Sequence, residues 1–434
     1  MKHLFFGGLH PAGRKELSSN AQLDTAFQPK TVAIAMQQHI GAPCTPLVQV
    51  GDLVKKGQKI GDGQGLCVPV HASVSGKVIA VEPRRHPSGR DILSVVIEND
   101  GLDTPDTTLV PHPDYSGLDV DTLLAIIREA GVVGHGGAAF PSNMKALTSL
   151  GKIDTLIANA CECEPYITAD DILLRTSPDQ VLEGMRIVTK ILNPDRVVLA
   201  IEDNKPKAVE ALRQSLAGKD DVEIQVLPTR YPQGAEKQLI QAVTGRQIPP
   251  GQLPSSVQCA VFNAATFYAV YRAVCLGQPV TERIVTVTGE AVKNPKNFLC
   301  RIGTSYQELI EAAGGLTEDV WKVICGGPMM GFAQDDLSVV TIKGTNSVLC
   351  LAQFRNQEKE NPLCIRCGRC VQVCPMHLQP LYLYRYRDNT AELNRYYVMD
   401  CIECGCCAYT CPGKLPLVEV IRKGKSKVRE AAGK

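Results

Sequence analysis

The chain has 434 residues, enough for two to four domains with cores of their own, and its 44% hydrophobic and 21% charged residues are those of a water-soluble globular protein. A formal net charge of +1 leaves no global field to attract nucleic acid or an acidic membrane, so neither is an expected partner. Eighteen cysteines are many, but half fall at or after Cys364, which argues against a disulfide scaffold spread along a secreted chain.

The opening "MKHLFFGGLHPAGRKEL" has no apolar run long enough for a signal peptide. From Pro46 to Asn99, short β-branched runs alternate with glycines. "VQVGDLVKKGQKIG" followed by "VPVHASVSGKVIAVE" resembles the barrel-sandwich fold of lipoyl and biotinyl carrier domains, through Gly51, Asp52, Val54, Gly57, Ile60 and Gly76. Those carriers expose a modifiable lysine at a hairpin tip, and "DGQGLC" has none there, so residues 1–110 are read as a structural module.

The Pro- and Asp-rich "DTPDTTLVPHPDYSGLD" separates this module from a stretch that alternates helical patterns with apolar strands. "DVDTLLAIIREAG" is expected to be a helix capped by Gly131, and "IDTLIANA" and "RVVLAIE" to be strands, giving an α/β domain over 118–282. "CAVFNAATFYAVYRAVCLG", Cys259 to Gly277, is the best candidate for a membrane span; Asn263 and Arg272 interrupt it, and it is read as a mostly buried helix. Residues 283–352 suggest a β-grasp unit, with a turn at Asn294-Pro295 and one helix capped by Gly314-Gly315. The whole is expected to be a reduced, cytosolic, multidomain protein, held at any membrane by partners. The basic end "RKGKSKVREAAGK" is expected to be a solvated helix end or disordered.

In the last domain, 353–434, Cys364, Cys367, Cys370 and Cys374 form C-x2-C-x2-C-x3-C followed by Pro375. Cys401, Cys404, Cys407 and Cys411 repeat the spacing before Pro412. This is the run of bacterial two-cluster ferredoxins, in which the fourth cysteine serves the other cluster. Two [4Fe–4S] clusters are therefore expected, one on Cys364, Cys367, Cys370 and Cys411, the other on Cys401, Cys404, Cys407 and Cys374. The fourth cysteine is expected to start a short helix, and Cys406 is surplus. Two zinc knuckles are disfavoured, because zinc takes four ligands in one site and gains nothing from a Cys-Pro at the end of each run.

Two other stretches attract attention. "GVVGHGGAAFPSNMK" contains Gly134-x-Gly136-x-x-Ala139, but a helical pattern precedes it where a dinucleotide fingerprint needs a strand. A glycine run before a helix start at Pro141 bares backbone N–H groups to a flat ring or a phosphate; an ordinary tight connection is the alternative. "ANACECEPYITADD" puts Glu162 and Glu164 around Cys163 at an expected strand end, where α/β sheets gather ligand groups. A metal site is the alternative for Cys161 and Cys163, without a nearby histidine to support it.

"GHGGAAFP", "NACECEP", "YPQGAEK" and "FNAAT" resemble, in order, the flavin- and nicotinamide-binding motifs of the NADH-oxidising flavoprotein of complex I. Over nearly the whole chain, "GGLHP", "QHIGAP", "PVHASVSGKV", "CEPYITAD", "VTVTGEAVKNPKN", "GGPMMG" and the cysteine runs look like the C subunit of the Rnf ferredoxin:NAD oxidoreductase complex. The resemblance implies a barrel-sandwich hybrid, a complex-I-flavoprotein-like α/β domain, an SLBB-like β-grasp domain and a ferredoxin-like domain. It implies FMN, NAD(H) and two [4Fe–4S] clusters, with Gly134, Gly136 and Gly137 against FMN and Asn159, Glu162, Tyr231, Gly234, Asn263 and Thr266 around its ring or phosphate. Lys145 would contact the phosphate, Phe140 and Glu164 the nicotinamide dinucleotide, and Glu236 both ligands. Compared with complex I, His135 replaces an arginine, Cys161 and Cys163 an aspartate and a serine, and Ala235 the first of two glutamates.

Such a protein would exchange hydride between NAD(H) and flavin, and single electrons between flavin and clusters. Its family setting is the cytoplasmic face of a membrane complex, beside the multi-cluster ferredoxin-like B subunit and the membrane-embedded A, D, E and G subunits. There electrons come indirectly from ferredoxin, and partners move Na+ or H+. Two other readings use the same parts: a cobalamin reductase of a microcompartment, and a flavin-free two-cluster carrier.

Overall fold

The computed structural model describes residues 5–353 and 362–433. The N-terminal module is two small sheets packed on each other. One orders Thr31–Ala35, Asp91–Asn99, Gly76–Arg85 and Leu53–Val54; the other orders Thr45–Pro46, Lys59–Asp62 and Val70–His71. Val32, Ile34, Ile60, Val70, Val78, Val95 and Ile97 fill the space between, the alternation that two packed sheets require.

The α/β unit is a four-stranded parallel sheet in the order Glu223–Leu227, Arg196–Glu202, Thr155–Ala160, Cys259–Asn263. Its strands are apolar on both faces, as helices on both sides demand. Leu156, Ala158 and Ala160 face the core of helices Val120–Glu129, Pro178–Leu192 and Ala264–Leu276. Ile157, Val198, Ala200, Cys259 and Val261 face helix Glu236–Thr244 through Leu239, Ile240 and Val243.

The apolar run Cys259–Gly277 is therefore not one helix. Its first five residues pair in parallel with Thr155–Asn159, and Asn263 then caps the helix by accepting from the Ala265 amide at 2.9 Å. Continuous apolarity suits a buried strand as well as a buried helix, so periodicity alone did not separate them. Among the described residues no helix is long and apolar enough to cross a membrane.

Strands Lys296–Arg301, Glu282–Thr288, Ser347–Ala352, Val320–Cys325 and Phe332–Gln334 form a five-stranded mixed sheet, with Glu282–Thr288 and Ser347–Ala352 parallel at its centre. Helix Tyr306–Ala312 packs on it through Tyr306, Leu309 and Ile310. Beyond it lie short helices and Leu417–Ala431, the basic end of the chain, which is a helix rather than a loose tail.

The short helix of each cysteine run, Arg369–Gln372 or Cys406–Tyr409, ends before the fourth cysteine instead of starting at it. Pro375 and Pro412 disfavour helical geometry in Cys374 and Cys411. Left-handed residues recur in the two halves at Arg366 and Glu403, Gly368 and Gly405, and His377 and Lys414, each pair 37 positions apart. The sequence repeat is thus also a backbone repeat.

Candidate functional site

From Thr155–Ala160 the chain moves one way to Arg196–Glu202 and Glu223–Leu227, then returns past the first strand to Cys259–Asn263. The strand order reverses between Thr155–Ala160 and Cys259–Asn263, and the crevice at their carboxyl ends is where such sheets bind ligands. Asn159 and Asn263 pair in register at that end. Asn159 donates to the Gly234 carbonyl at 2.8 Å and accepts from the Cys161 amide at 3.0 Å. Asn263 donates to Asp170 Oδ2 at 2.7 Å.

The glycine loop folds back over this crevice. Val133 and Pro141 form a bridge, and the Gly134 amide donates to the Phe140 carbonyl at 2.9 Å. Gly137 sits at φ +118°, open to glycine and little else. The His135 amide donates to Thr266 Oγ1 at 3.0 Å, and a Cβ on Gly136 would touch that of Asn263 at 3.4 Å. Gly134, Gly136, Gly137, Asn159, Asn263 and Thr266 are therefore brought together. At the rim, Lys145 pairs with Glu236 at 2.7 Å, its ammonium 5.3 Å from the Phe262 ring centre. Phe140 is half-buried on the loop.

Glu162 is buried and accepts from the Asp170 amide at 2.8 Å. Burial, reinforced by Asp170 and opposed by Lys15, pushes its carboxyl up to about 7. Its Oε2 has no hydrogen-bond partner, nor do the buried Ser142 Oγ, Asn143 Oδ1 and Gln233 Nε2. Native folds rarely leave such atoms unsatisfied, so these neighbours of the glycine loop, the first strand's end and Gly234 suit a ligand rich in hydrogen-bonding groups, as FMN is. His135 lines a separate cavity of about 230 Å³ with Asp170 and Arg283, where burial keeps its ring neutral. Cys161 donates to the Ala200 carbonyl at 3.5 Å, and Cys163 Sγ accepts from the Gly234 amide at 3.4 Å. Burial pushes both thiols up, and among the described residues no group completes a metal set with them.

Tyr231 and Glu164 turn towards the cysteine domain. Tyr231 is 2% exposed; its hydroxyl donates to the Cys404 carbonyl at 2.6 Å and lies 3.5 Å from Glu164 Oε1. Glu164 accepts from the amides of Met329 and Met330, at 3.1 and 2.9 Å. Gly327, in the same "GGPMMG" loop, leaves room for this carboxylate where any side chain would collide with it. Burial pushes the Glu164 carboxyl up to about 7, against the pull of the two amides. Sequence reasoning missed Gln238, which donates to the Pro375 carbonyl at 3.2 Å, and the use of the Met329 and Met330 amides; "GGPMMG" was the one signal for the latter.

The cysteines fall into two cavities. Cys364, Cys367, Cys370 and Cys411 line one; Cys374, Cys401, Cys404 and Cys407 line the other, with Cys406 beside them. Each fourth cysteine sits with the first three of the other run. Four sulfur donors around one largely apolar space fit a cubane cluster. The Cys374 cavity abuts Tyr231, whereas the other borders exposed Leu363, Ile365 and Cys367.

Comparison with known proteins agrees with this layout. The chain matches, in order, the RnfC barrel sandwich hybrid domain over residues 3–102, the Nuo51 FMN-binding domain over 127–272, the SLBB domain over 284–333 and a 4Fe-4S dicluster domain over 357–412. It is 44% identical to the C subunit of the Na(+)-translocating ferredoxin:NAD(+) oxidoreductase complex of Acetobacterium woodii, over 89% of this chain and 88% of that one. It is also 44% identical to the C subunit of the proton-translocating ferredoxin:NAD(+) oxidoreductase complex of Clostridium ljungdahlii, over 98% and 94%. The C subunit of the ion-translocating oxidoreductase complex of Actinobacillus succinogenes is 43% identical over 99% of this chain, which spans 62% of that longer protein. The chain belongs to the RnfC family, the C subunits of the ion-translocating ferredoxin:NAD(+) oxidoreductase, or Rnf, complexes.

Proposed function

We infer that the chain is an electron-transfer subunit of a ferredoxin:NAD(+) oxidoreductase complex, working between NAD(H) and two [4Fe–4S] clusters through FMN. Bound FMN supplies the conversion between hydride exchange with the nicotinamide and single-electron exchange with the clusters. The chain's residues supply placement. In this reading Gly134, Gly136 and Gly137 let the flavin approach the backbone, while Asn159, Glu162, Gly234, Asn263 and Thr266 surround it. Lys145 meets its phosphate, and Phe140 and Glu236 meet the dinucleotide at the rim. Cys374, Cys401, Cys404 and Cys407 hold an inner cluster; Cys364, Cys367, Cys370 and Cys411 hold an outer one. Tyr231 and Glu164 act as positioning residues that lock the flavin domain to the inner cluster.

The observation that carries this reading is the Tyr231 hydroxyl on the Cys404 carbonyl, which makes crevice and inner cavity contiguous. Anaerobic mixing of the cluster- and FMN-loaded protein with NADH tests it. Flavin and cluster absorbance should bleach together; bleaching of flavin with clusters left oxidised would sever the proposed route.

Within the complex, this reading has the outer cluster meet the multi-cluster ferredoxin-like B subunit, on the membrane's cytoplasmic face, with the membrane-embedded A, D, E and G subunits moving the ion. Ferredoxin then reaches this chain only indirectly. Exposed Leu363 and Ile365 beside the outer cavity support a docking surface there. Equal likeness to a sodium-translocating and a proton-translocating relative supports ion choice by the partner subunits.

A further inference from the structure

Outside the electron route, the N-terminal module brings three buried ligand-type side chains together: His39, Cys44 and Cys67, whose donor atoms lie within 4.8 Å of one another. Cys44 Sγ and Cys67 Sγ are 3.6 Å apart, and Cys67 Sγ is 3.7 Å from His39 Nε2. With zinc bonds of about 2.3 Å to sulfur and 2.0 Å to nitrogen, a tetrahedron has edges of about 3.8 Å between sulfurs and about 3.6 Å between sulfur and nitrogen. The Val68 carbonyl oxygen occupies the fourth corner, 3.2 Å from His39 Nε2, 3.3 Å from Cys44 Sγ and 3.8 Å from Cys67 Sγ. His39 Nδ1 lies 3.2 Å from the Ile40 carbonyl, the outer hydrogen bond that orients a ligating histidine, and Nε2, which accepts from the Val68 amide at 3.2 Å in the empty site, would turn its lone pair to the metal.

We propose that His39, Cys44 and Cys67 form a structural zinc site, with the Val68 carbonyl or a water as fourth ligand. Binding replaces the two thiol protons, which leave to solvent, so Zn²⁺ and two thiolates are together neutral. No electron is exchanged. Buried Lys343 adjoins the group but spends its ammonium on the carbonyls of Pro69 and Gly131, at 2.8 and 2.7 Å.

The site sits directly behind the glycine loop. The Ile40 amide donates to the Ala139 carbonyl at 3.3 Å, and Val68 packs against Val133 and Ala139. Zinc would thus staple the loop 38–46 to the turn 63–70 and brace the wall against which residues 134–140 rest.

The test uses the full chain with its iron–sulfur clusters in place, given equimolar zinc chloride and dialysed against a mild chelator. Elemental analysis should find about one zinc per chain, and zinc-edge X-ray absorption, blind to iron, should find two sulfur neighbours at about 2.3 Å. Cys44→Ser with Cys67→Ser should cut retained zinc at least tenfold while iron content stays full. His39→Gln alone should cut it too, which covers a double variant that does not fold. The proposal is overturned by a chain that retains no zinc, by zinc without sulfur neighbours, by zinc unaffected in variants that fold (adventitious metal), or by a Cys44–Cys67 disulfide in protein prepared without oxygen.

Discussion

The two cysteine runs share spacing and backbone conformation, yet their surroundings are opposite. Around the first, Leu363, Ile365 and Cys367 are exposed. Around the second, Cys404, Cys406 and Cys407 are buried, and the Cys404 carbonyl takes the Tyr231 hydroxyl. Even the matching left-handed positions differ: Arg366 faces solvent, while Glu403, 37 positions later, is tied to Arg422 at 2.9 Å and to Lys425 at 2.6 Å. The spacing of sulfurs builds a cluster cage; the residues between them and the neighbouring domain decide whether it is an inner relay or an outer terminal.

Cys374→Ser should break this comparison most severely. It lies in the first run but lines the inner cavity. Its loss should destroy the inner cluster and slow NADH reduction of the outer one more than tenfold, seen as loss of one reduced-cluster EPR signal. If the signal lost is that of the cluster on Cys364, Cys367 and Cys370, the crossed pairing is wrong.

Glu164→Gln tests the inner side alone, because Glu164 holds the Met329 amide and the Met329 carbonyl packs against Gly405. Burial raises the folded carboxyl from 4.5 to about 7, so its contribution to stability is fully present below about pH 4.5 and lost as pH rises through 7. Wild type should therefore lose up to about 3 kcal/mol from this group over that window, at 1.36 kcal/mol per unit. In the variant, denaturation midpoints measured from pH 5 to 8 should fall less steeply. An unchanged slope would mean that the buried carboxyl is already compensated.

What could be read from sequence follows from how local each feature is. The cysteine runs, the glycine loop and the strands Thr155–Ala160 and Arg196–Glu202 are written in contiguous residues, and all were legible. Tyr231 and Glu164 were legible as site residues but not in their direction, because what turns them is a carbonyl 173 positions away and two amides some 165 positions away. The Cys259–Asn263 strand was hidden because a buried strand and a buried helix carry the same apolar signal, and only the register with Thr155–Asn159 separates them. The cavity behind His135 and the cluster of His39, Cys44 and Cys67 also depend on contacts between distant segments.

On the outer side, Ile365→Asp with Leu363→Asp should leave NADH bleaching of both clusters intact in the isolated chain. It should weaken electron transfer to the neighbouring subunit about tenfold, as loss of apolar burial at an interface centre does. Reconstituted complexes assayed for NADH-driven ferredoxin reduction would show it. Equal loss in the isolated chain would place these residues in the cage rather than on a docking face.

The smallest effect should come from Lys425→Met. The ammonium is buried and donates to the Cys401 carbonyl and to Glu403, both at 2.6 Å, so it lies beside the inner cavity. Adding an electron to a cluster is favoured by nearby positive charge. Removing this one should lower the inner potential on the order of tens of millivolts and leave the outer potential unchanged. Glu403 keeps Arg422, so the loop should stay folded and the shift should report charge rather than collapse. Redox titration followed by EPR reads the two clusters separately. A shift confined to the outer cluster, or an upward shift of the inner one, would reverse the assignment of inner and outer.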